Sequence, residues 1–296
     1  MHQFVYHNDH LLPLSEVRLS PGQAGLINGW GIFSTLRVYD GQPFAAERHW
    51  QRLTRDAGRL QLPLTARFEE VRRAMMELLE ANRARQACLR IYFIHNSIGI
   101  WKSQEPFPAV DLIMYTMDVP SRLGPTPLAI REQGRHAAHP LTGTKVISWL
   151  NNAWMVEQAH QRGFDDALLL NERGEVAECT AANLYCVRSG QVLTPPLDSG
   201  CLAGVSREIL LEIAPPAGTP ITQRALKLDD FLSADEVFIT STTRQVQPVD
   251  RLEQHAIRQA PGPVTRKLAE LFDDYVKRYT ARSARELESA GKTAGR

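Results

Sequence analysis

Asp165-Asp166-Ala167-Leu168-Leu169-Leu170-Asn171-Glu172-Arg173-Gly174-Glu175-Val176-Ala177-Glu178-Cys179-Thr180-Ala181-Ala182-Asn183-Leu184-Tyr185 reads as a strand, a tight turn at Gly174 and a second strand. The first apolar run, Asp166–Asn171, has strand length, and a glycine followed by a short return marks a turn between strands. Glu178 ends the return strand, ahead of small residues and Asn183. A carboxylate at that point is either a plain edge charge or a fixed counter-ion for something bound.

Outward from this hairpin the pattern stays rich in strands. Strands are predicted at Leu128–Arg131, Ala182–Val187 and Val237–Thr240, with helices at Asn151–Arg162, Ser206–Ile213, Leu228–Leu232 and Val264–Tyr279. The first half opens with two short strands around Asn8-Asp9. The β-branched and aromatic run Gly31–Tyr39 follows, then Asp40-Gly41, a favoured hairpin turn, and a closing strand from Gln42 to Ala45. His49, Arg52, Leu53, Asp56 and Leu60 recur at spacings of three and four, so Ala46–Leu60 reads as a helix. Phe68–Asn82 reads as a second, and Cys88–His95 and Asp111–Met117 as buried strands. Three prolines and a glycine within 118–127 mark a linker. The expected organisation is a two-domain α+β chain: residues 1–117, the linker 118–127, a second domain over 128–282, and a frayed, flexible tail over 283–296.

Composition narrows the class. The chain has 296 residues, 43% hydrophobic and 23% charged, which suits a globular protein with a substantial core. Thirty-four basic and 33 acidic residues leave a net charge of +1, without the clustered basic surface that nucleic acid requires. No apolar stretch has membrane-spanning length, and the N-terminus lacks the basic and apolar regions of a signal peptide. Cys88, Cys179, Cys186 and Cys201 lack the spacing of zinc or redox motifs, so reduced thiols and a cytoplasmic location are expected.

Positive charge is carried almost entirely by arginine, with six lysines against 28 arginines. Arginine does not deprotonate and cannot serve as an amine nucleophile. That directs attention to Lys145 in Leu141-Thr142-Gly143-Thr144-Lys145-Val146-Ile147-Ser148-Trp149-Leu150. Taken alone, the segment reads first as a strand-end lysine reaching for solvent. Small and apolar neighbours also suit a desolvated, imine-forming amine. Leu202-Ala203-Gly204-Val205-Ser206-Arg207 is either a simple helix cap or a cup of backbone N–H groups for a phosphate. Thr240-Ser241-Thr242-Thr243 places hydroxyls at a strand end, and Arg52 lies one helical turn from His49. A metal site among His2, His7 and His10, or at His136-x-x-His139, finds no carboxylate at recognisable spacing.

The order of these elements is more specific than any one of them. Phe33-Ser34-Thr35-Leu36-Arg37-Val38-Tyr39-Asp40-Gly41 with His49-x-x-Arg52-Leu53, then Lys145, Glu178-x-x-x-x-Asn183, Leu202-x-Gly204-Val205-x-Arg207 and Thr240-Ser241-Thr242-Thr243, resembles the class IV, or fold type IV, pyridoxal phosphate enzymes over roughly residues 25 to 250. That family includes branched-chain and D-amino acid aminotransferases, (R)-amine transaminases and aminodeoxychorismate lyases. The resemblance implies a small N-terminal α/β sandwich domain and a larger β-rich, pseudo-barrel C-terminal domain that binds the cofactor, in a homodimer. Lys145 matches the Schiff-base lysine, and Glu178 the partner of the pyridine nitrogen. Arg52, Val205, Ser206, Ser241 and Thr242 match phosphate-binding positions, with Thr180 and Asn183 beside them in the cofactor site. Phe33, Thr35, Arg37 and Thr243 match substrate-facing positions.

The implied reaction moves an amino group from an amino acid, with branched-chain substrates first, to a 2-oxo acid. Aminodeoxychorismate lyase and D-amino acid or (R)-amine transaminase are the alternatives. The Arg-x-His pair of D-amino acid enzymes is absent: the stretch reads His95-Asn96-Ser97-Ile98-Gly99-Ile100-Trp101. Asn28-Gly29 replaces the Tyr-Gly of branched-chain enzymes, and Ser148 stands where many members have Asn. Ile98, Ile100 and Trp101 are expected either to line an apolar pocket or to pack on a partner subunit.

Overall fold

The computed structural model describes residues 1–96, 108–121 and 124–294, with side chains through residue 283. The expected pocket residues Ile98, Ile100 and Trp101 lie outside the described residues. The chain divides into two compact units: Met1–Pro120 with Thr144–Trp149 and Val276–Arg296, and Ser121–Gly143 with Leu150–Tyr275. Two segments that chain order alone would assign to the later unit, 144–149 and the chain from Val276, thus group with the first.

The first unit contains β1 (Phe4–His7), β2 (His10–Pro13), α1 (Ala24–Asn28), β3 (Gly31–Tyr39), β4 (Gln42–Pro43), α2 (Ala46–Arg59), α3 (Phe68–Ala81), β5 (Ala87–His95) and β6 (Val110–Met117). Its six strands form an antiparallel sheet in the order β2-β1-β6-β5-β3-β4. The β3–β4 turn is built by Asp40 and Gly41, both at positive φ, as the Asp-Gly pair predicts. Strand periodicity sorts the side chains into two faces. Ile32, Leu36, Val38, Leu89, Ile91, Phe93 and Met114 join Leu53 and Ala57 of α2 and Val71, Met75 and Leu78 of α3 in one core. Full burial of a residue such as Leu53 contributes about 1.5–3 kcal/mol. The opposite face keeps Phe33, Thr35, Arg37, Arg90, Tyr92 and Tyr115.

The second unit contains β7 (Thr126–Arg131), α4 (Leu150–Gln161), β8 (Asp166–Leu170), β9 (Val176–Cys179), β10 (Asn183–Arg188), β11 (Gln191–Thr194), α5 (Val205–Ile213), β12 (Ile221–Gln223), α6 (Leu228–Leu232), β13 (Glu236–Ser241), β14 (Gln245–Leu252), β15 (His255–Ala256) and the first part of α7 (Pro263–Ala294), whose residues from Val276 group with the first unit. The sheet order is β12-β11-β10-β13-β14-β7-β8-β9, with β15 on β14. Strand β9 ends the row and β10 is third from its other end, yet residues 180–182 suffice to join them. Cys179 N–H donates to Ala182 C=O at 2.8 Å across that turn. The sheet therefore curls back on itself, as the β-rich, pseudo-barrel fold that the family resemblance implies would do.

Two elements differ from the sequence reading. The sequence pattern does not reveal β14, because Pro248 interrupts it and proline normally keeps to sheet edges. Here Pro248 is tolerated between β13 and β7, opposite Phe238, with a register shift between Val249 and Arg251. Helix α7 continues to Ala294, where composition predicts a frayed end. Its N-terminus is capped from a distance: Glu236, buried on β13, accepts the N–H groups of Val264 (3.0 Å) and Thr265 (2.7 Å). No described helix is long and apolar enough to cross a membrane.

Candidate active site

In the first unit the site begins at the edge of β3. Strand β4 is only two residues long, so Gly31–Phe33 present free backbone groups, and the Thr144–Trp149 segment pairs with them. Phe33 N–H donates to Lys145 C=O (3.0 Å), Ile147 N–H to Gly31 C=O (2.9 Å), and Ile32 bridges Val146. Lys145 N–H donates to Oδ2 of the buried Asp56 on α2 (3.0 Å). The Lys145 ammonium nitrogen lies 4.4 Å from the centre of the Phe33 ring.

Phe33 stacks on Tyr92 (5.5 Å between centroids), which stacks on Tyr115 (5.8 Å). Arg90 Nη1 donates to the Tyr92 hydroxyl (3.0 Å), which lies 3.2 Å from that of Tyr115. Burial and the hydrogen bond with Tyr92 push the Tyr115 phenol up to about 12, so it stays a neutral donor at ordinary pH. Arg37 lies over the Tyr39 ring at 5.1 Å. Among the described residues no carboxylate pairs with Arg37 or Arg90, and the Nε of each is buried without a hydrogen-bond partner. On the helix side of the same strand, Ser34 Oγ lies 2.8 Å from both Arg52 Nη2 and His49 Nδ1. Burial, then the charges of Arg52 and Lys145, push His49 well below its ordinary 6.5.

In the second unit Glu178 sits at the end of β9 and is buried. Its Oε1 accepts Arg135 Nε (2.8 Å), and its Oε2 accepts the N–H of Leu202 (2.9 Å). Arg135 Nη1 reaches Asn152 Oδ1 (2.9 Å), and Asn152 Nδ2 donates to Thr180 C=O (2.6 Å). Behind these, Arg244 pairs with Asp166 at 2.8 Å, both almost wholly buried. Asn183 Nδ2 donates to Leu202 C=O (2.8 Å), and its Oδ1 occupies the space a Cβ on Gly204 would need. Gly204 then opens α5, whose first residues are Val205 and Ser206. Ser241, Thr242 and Thr243 follow at the end of β13, half-buried.

The structure thus brings Phe33, Thr35, Arg37 and Lys145 to one face and edge in the first unit, with Arg52 on the helix side of the same strand. In the second, Glu178 and Asn183 meet the Leu202–Ser206 loop. The expected cofactor contact Thr180 is otherwise engaged: its hydroxyl is a donor to buried Asp166. Asn183 braces the loop backbone. Sequence reasoning missed Arg135, Asn152, Asp166, Arg244, Tyr92 and Tyr115. Arg135 carries no motif and is hidden among 28 arginines, whereas Tyr92 and Tyr115 are legible only once β5 and β6 are in register.

The family model described as amino-transferase class IV matches residues 31–252. The chain belongs to the class IV aminotransferase family. Class IV aminotransferases are pyridoxal phosphate enzymes, and this chain is an enzyme of that class. It is 30% identical over 253 residues to a protein of Thermotoga maritima named "Probable branched-chain-amino-acid aminotransferase", covering 83% of this chain and 86% of that protein. It is 27% identical to the D-alanine aminotransferase of Staphylococcus haemolyticus, covering 92% and 98%. Among solved structures, the branched-chain aminotransferase of the thermophilic archaeon Thermoproteus uzoniensis, determined with norvaline, superimposes with a TM-score of 0.84 at 24% identity, covering 93% and 95%. The class IV fold is therefore the fold of this aminotransferase.

Proposed function

We propose that this class IV aminotransferase binds pyridoxal phosphate and transfers the amino group of an apolar amino acid, branched-chain substrates first, to a 2-oxo acid. The observation that carries the reading is the β3–β5–β6 face. It combines three stacked rings with two arginines that have no carboxylate among the described residues, beside the Lys145 amine. Such a surface accepts an apolar side chain and a carboxylate together.

The donor set suits the cofactor. In the first unit Arg52 is a charged donor suited to a phosphate; in the second, the N–H groups of Val205 and Ser206 at the start of α5 and the Thr242 and Ser241 hydroxyls are donors suited to one. Gly204, with no Cβ, lets the Asn183 side chain pack against the backbone that leads into α5 and brace it. Glu178, held by Arg135 and Leu202, is the acceptor for a protonated ring nitrogen. When bound, the cofactor supplies the electron sink that makes the substrate Cα–H acidic. Lys145 Nζ carries the proton to and from that carbon, steered by the Phe33 ring and by the backbone pairing of its segment. Arg37 and Arg90 bind substrate carboxylates, and the stacked rings keep water from the reacting face.

The test is single-turnover reaction of the cofactor-loaded protein with L-leucine, L-isoleucine, L-valine, D-alanine, (R)-1-phenylethylamine and aminodeoxychorismate, with wild type against Lys145→Ala. Conversion of the branched-chain donors to their 2-oxo acids, lost in the variant, is expected. Reaction with D-alanine or the amine alone, or pyruvate release from aminodeoxychorismate, overturns the substrate assignment. Undiminished turnover by Lys145→Ala overturns the mechanism.

A further inference from the structure

We propose that Ser34 and His49 are positioning residues that fix the plane of the Arg52 guanidinium before the cofactor phosphate arrives. The inference rests on the reading of Arg52 as a phosphate-binding cation. Ser34 is fully buried on the helix side of β3, and its Oγ lies 2.8 Å from Arg52 Nη2 and 2.8 Å from His49 Nδ1. A serine hydroxyl has one proton to give. Arginine only donates, so Ser34 Oγ accepts from Arg52, and the Ser34 proton goes to His49. That requires a bare Nδ1 and a neutral ring.

The setting supplies this. His49 is almost wholly buried, next to the Arg52 and Lys145 charges, which keeps the ring neutral, and Arg52 Nη2, which can only donate, lies 3.5 Å from Nδ1, so a proton on Nδ1 would face a cationic donor. Donation therefore runs in one direction, Arg52 to Ser34 to His49. The three residues come from two elements: Ser34 from β3, and His49 and Arg52 one turn apart on α2. An arginine held this way surrenders less freedom when an anion binds, because its rotamer is already selected. The neutral serine accepts from the guanidinium, and the neutral imidazole from the serine, without cancelling the positive charge as a carboxylate in their place would.

The experiment is equilibrium binding of pyridoxal phosphate and of pyridoxal, which lacks the phosphate, to the cofactor-free protein, followed by tryptophan fluorescence. Ser34→Ala is expected to weaken pyridoxal phosphate binding about tenfold, the worth of one hydrogen bond to a charged group, and to leave pyridoxal binding unchanged. His49→Leu behaves like Ser34→Ala. His49→Asn, which places an amide oxygen near the Nδ1 position, restores most of the loss. In an Arg52→Ala background, Ser34→Ala has no further effect. Equal losses for both ligands, or the same tenfold loss without Arg52, mean that Ser34 acts by shape alone and overturn the proposal. Arg52→Ala leaving the ratio of the two affinities unchanged overturns the phosphate role of Arg52, and this inference with it. If His49→Leu does not fold, Ser34→Ala and the double variant decide.

Discussion

Consider replacing Arg135 and Glu178 with methionine, singly and together. Arg135 Nε donates to Glu178 Oε1 at 2.8 Å, and the two side chains are 18% and 9% exposed. Breaking a wholly buried pair from one side costs about 3–5 kcal/mol, because the remaining charge has no partner. Arg135 retains some water, so by the same reasoning Arg135→Met should cost about 2–3 kcal/mol. Glu178→Met also strips the acceptor from Leu202 N–H, which adds about 1 kcal/mol. With both replaced, no charge is left alone. The double variant should therefore lose about 2 kcal/mol less than the sum of the singles. At roughly 2–4 °C per kcal/mol for a unit of this size, Arg135→Met melts some 4–12 °C early. Urea and thermal unfolding of the cofactor-free protein give these values, since bound ligand would add its own stabilisation. Additive single losses, or an Arg135→Met variant within about 0.5 kcal/mol of wild type, would refute the coupling.

Two further outcomes follow from close contacts and burial. Gly204→Ala drives a Cβ into Asn183 Oδ1 and should weaken pyridoxal phosphate binding at least about tenfold, with Asn183→Ser recovering part of it; unchanged binding in a fluorescence titration counts against the cradle. Burial depresses His49 in the folded state, so below its ordinary 6.5 the unfolded chain takes up a proton that the folded chain refuses. Stability from this ring is complete above that pH and falls by about 1.4 kcal/mol per unit on acidification, until the folded ring is protonated. His49→Asn should flatten the urea midpoint between about pH 5 and 6.5 relative to wild type, and parallel profiles would count against a neutral buried ring.

Local chemistry made much of the fold legible. The Asp40-Gly41 turn, the period of α2 and the hairpin through Gly174 each follow from neighbours in sequence. The order of Lys145, Glu178 and the Gly204 turn carried the family. What stayed hidden is whatever depends on pairing across the chain. Pro248 masked β14, because its tolerance depends on strands on both sides. Arg135 acquires meaning only through Glu178, 43 residues later. Thr180 sits beside the motif, but buried Asp166 on the neighbouring strand claims its hydroxyl. Arg90 joins Tyr92 and Tyr115 into a surface only when β5 and β6 are set side by side.

The placement of Lys145 carries one more implication. Its N–H meets Asp56, its C=O meets Phe33 N–H, and the next residue is bridged to Ile32. None of these main-chain atoms is peculiar to lysine, so whatever residue stands at 145 is presented at the same spot beside the Phe33 ring. The fold is a socket and the amine its insert. Chemistry at this position can be exchanged, by another side chain or by a small soluble amine filling the space of a truncated one, without asking the polypeptide to find a new path.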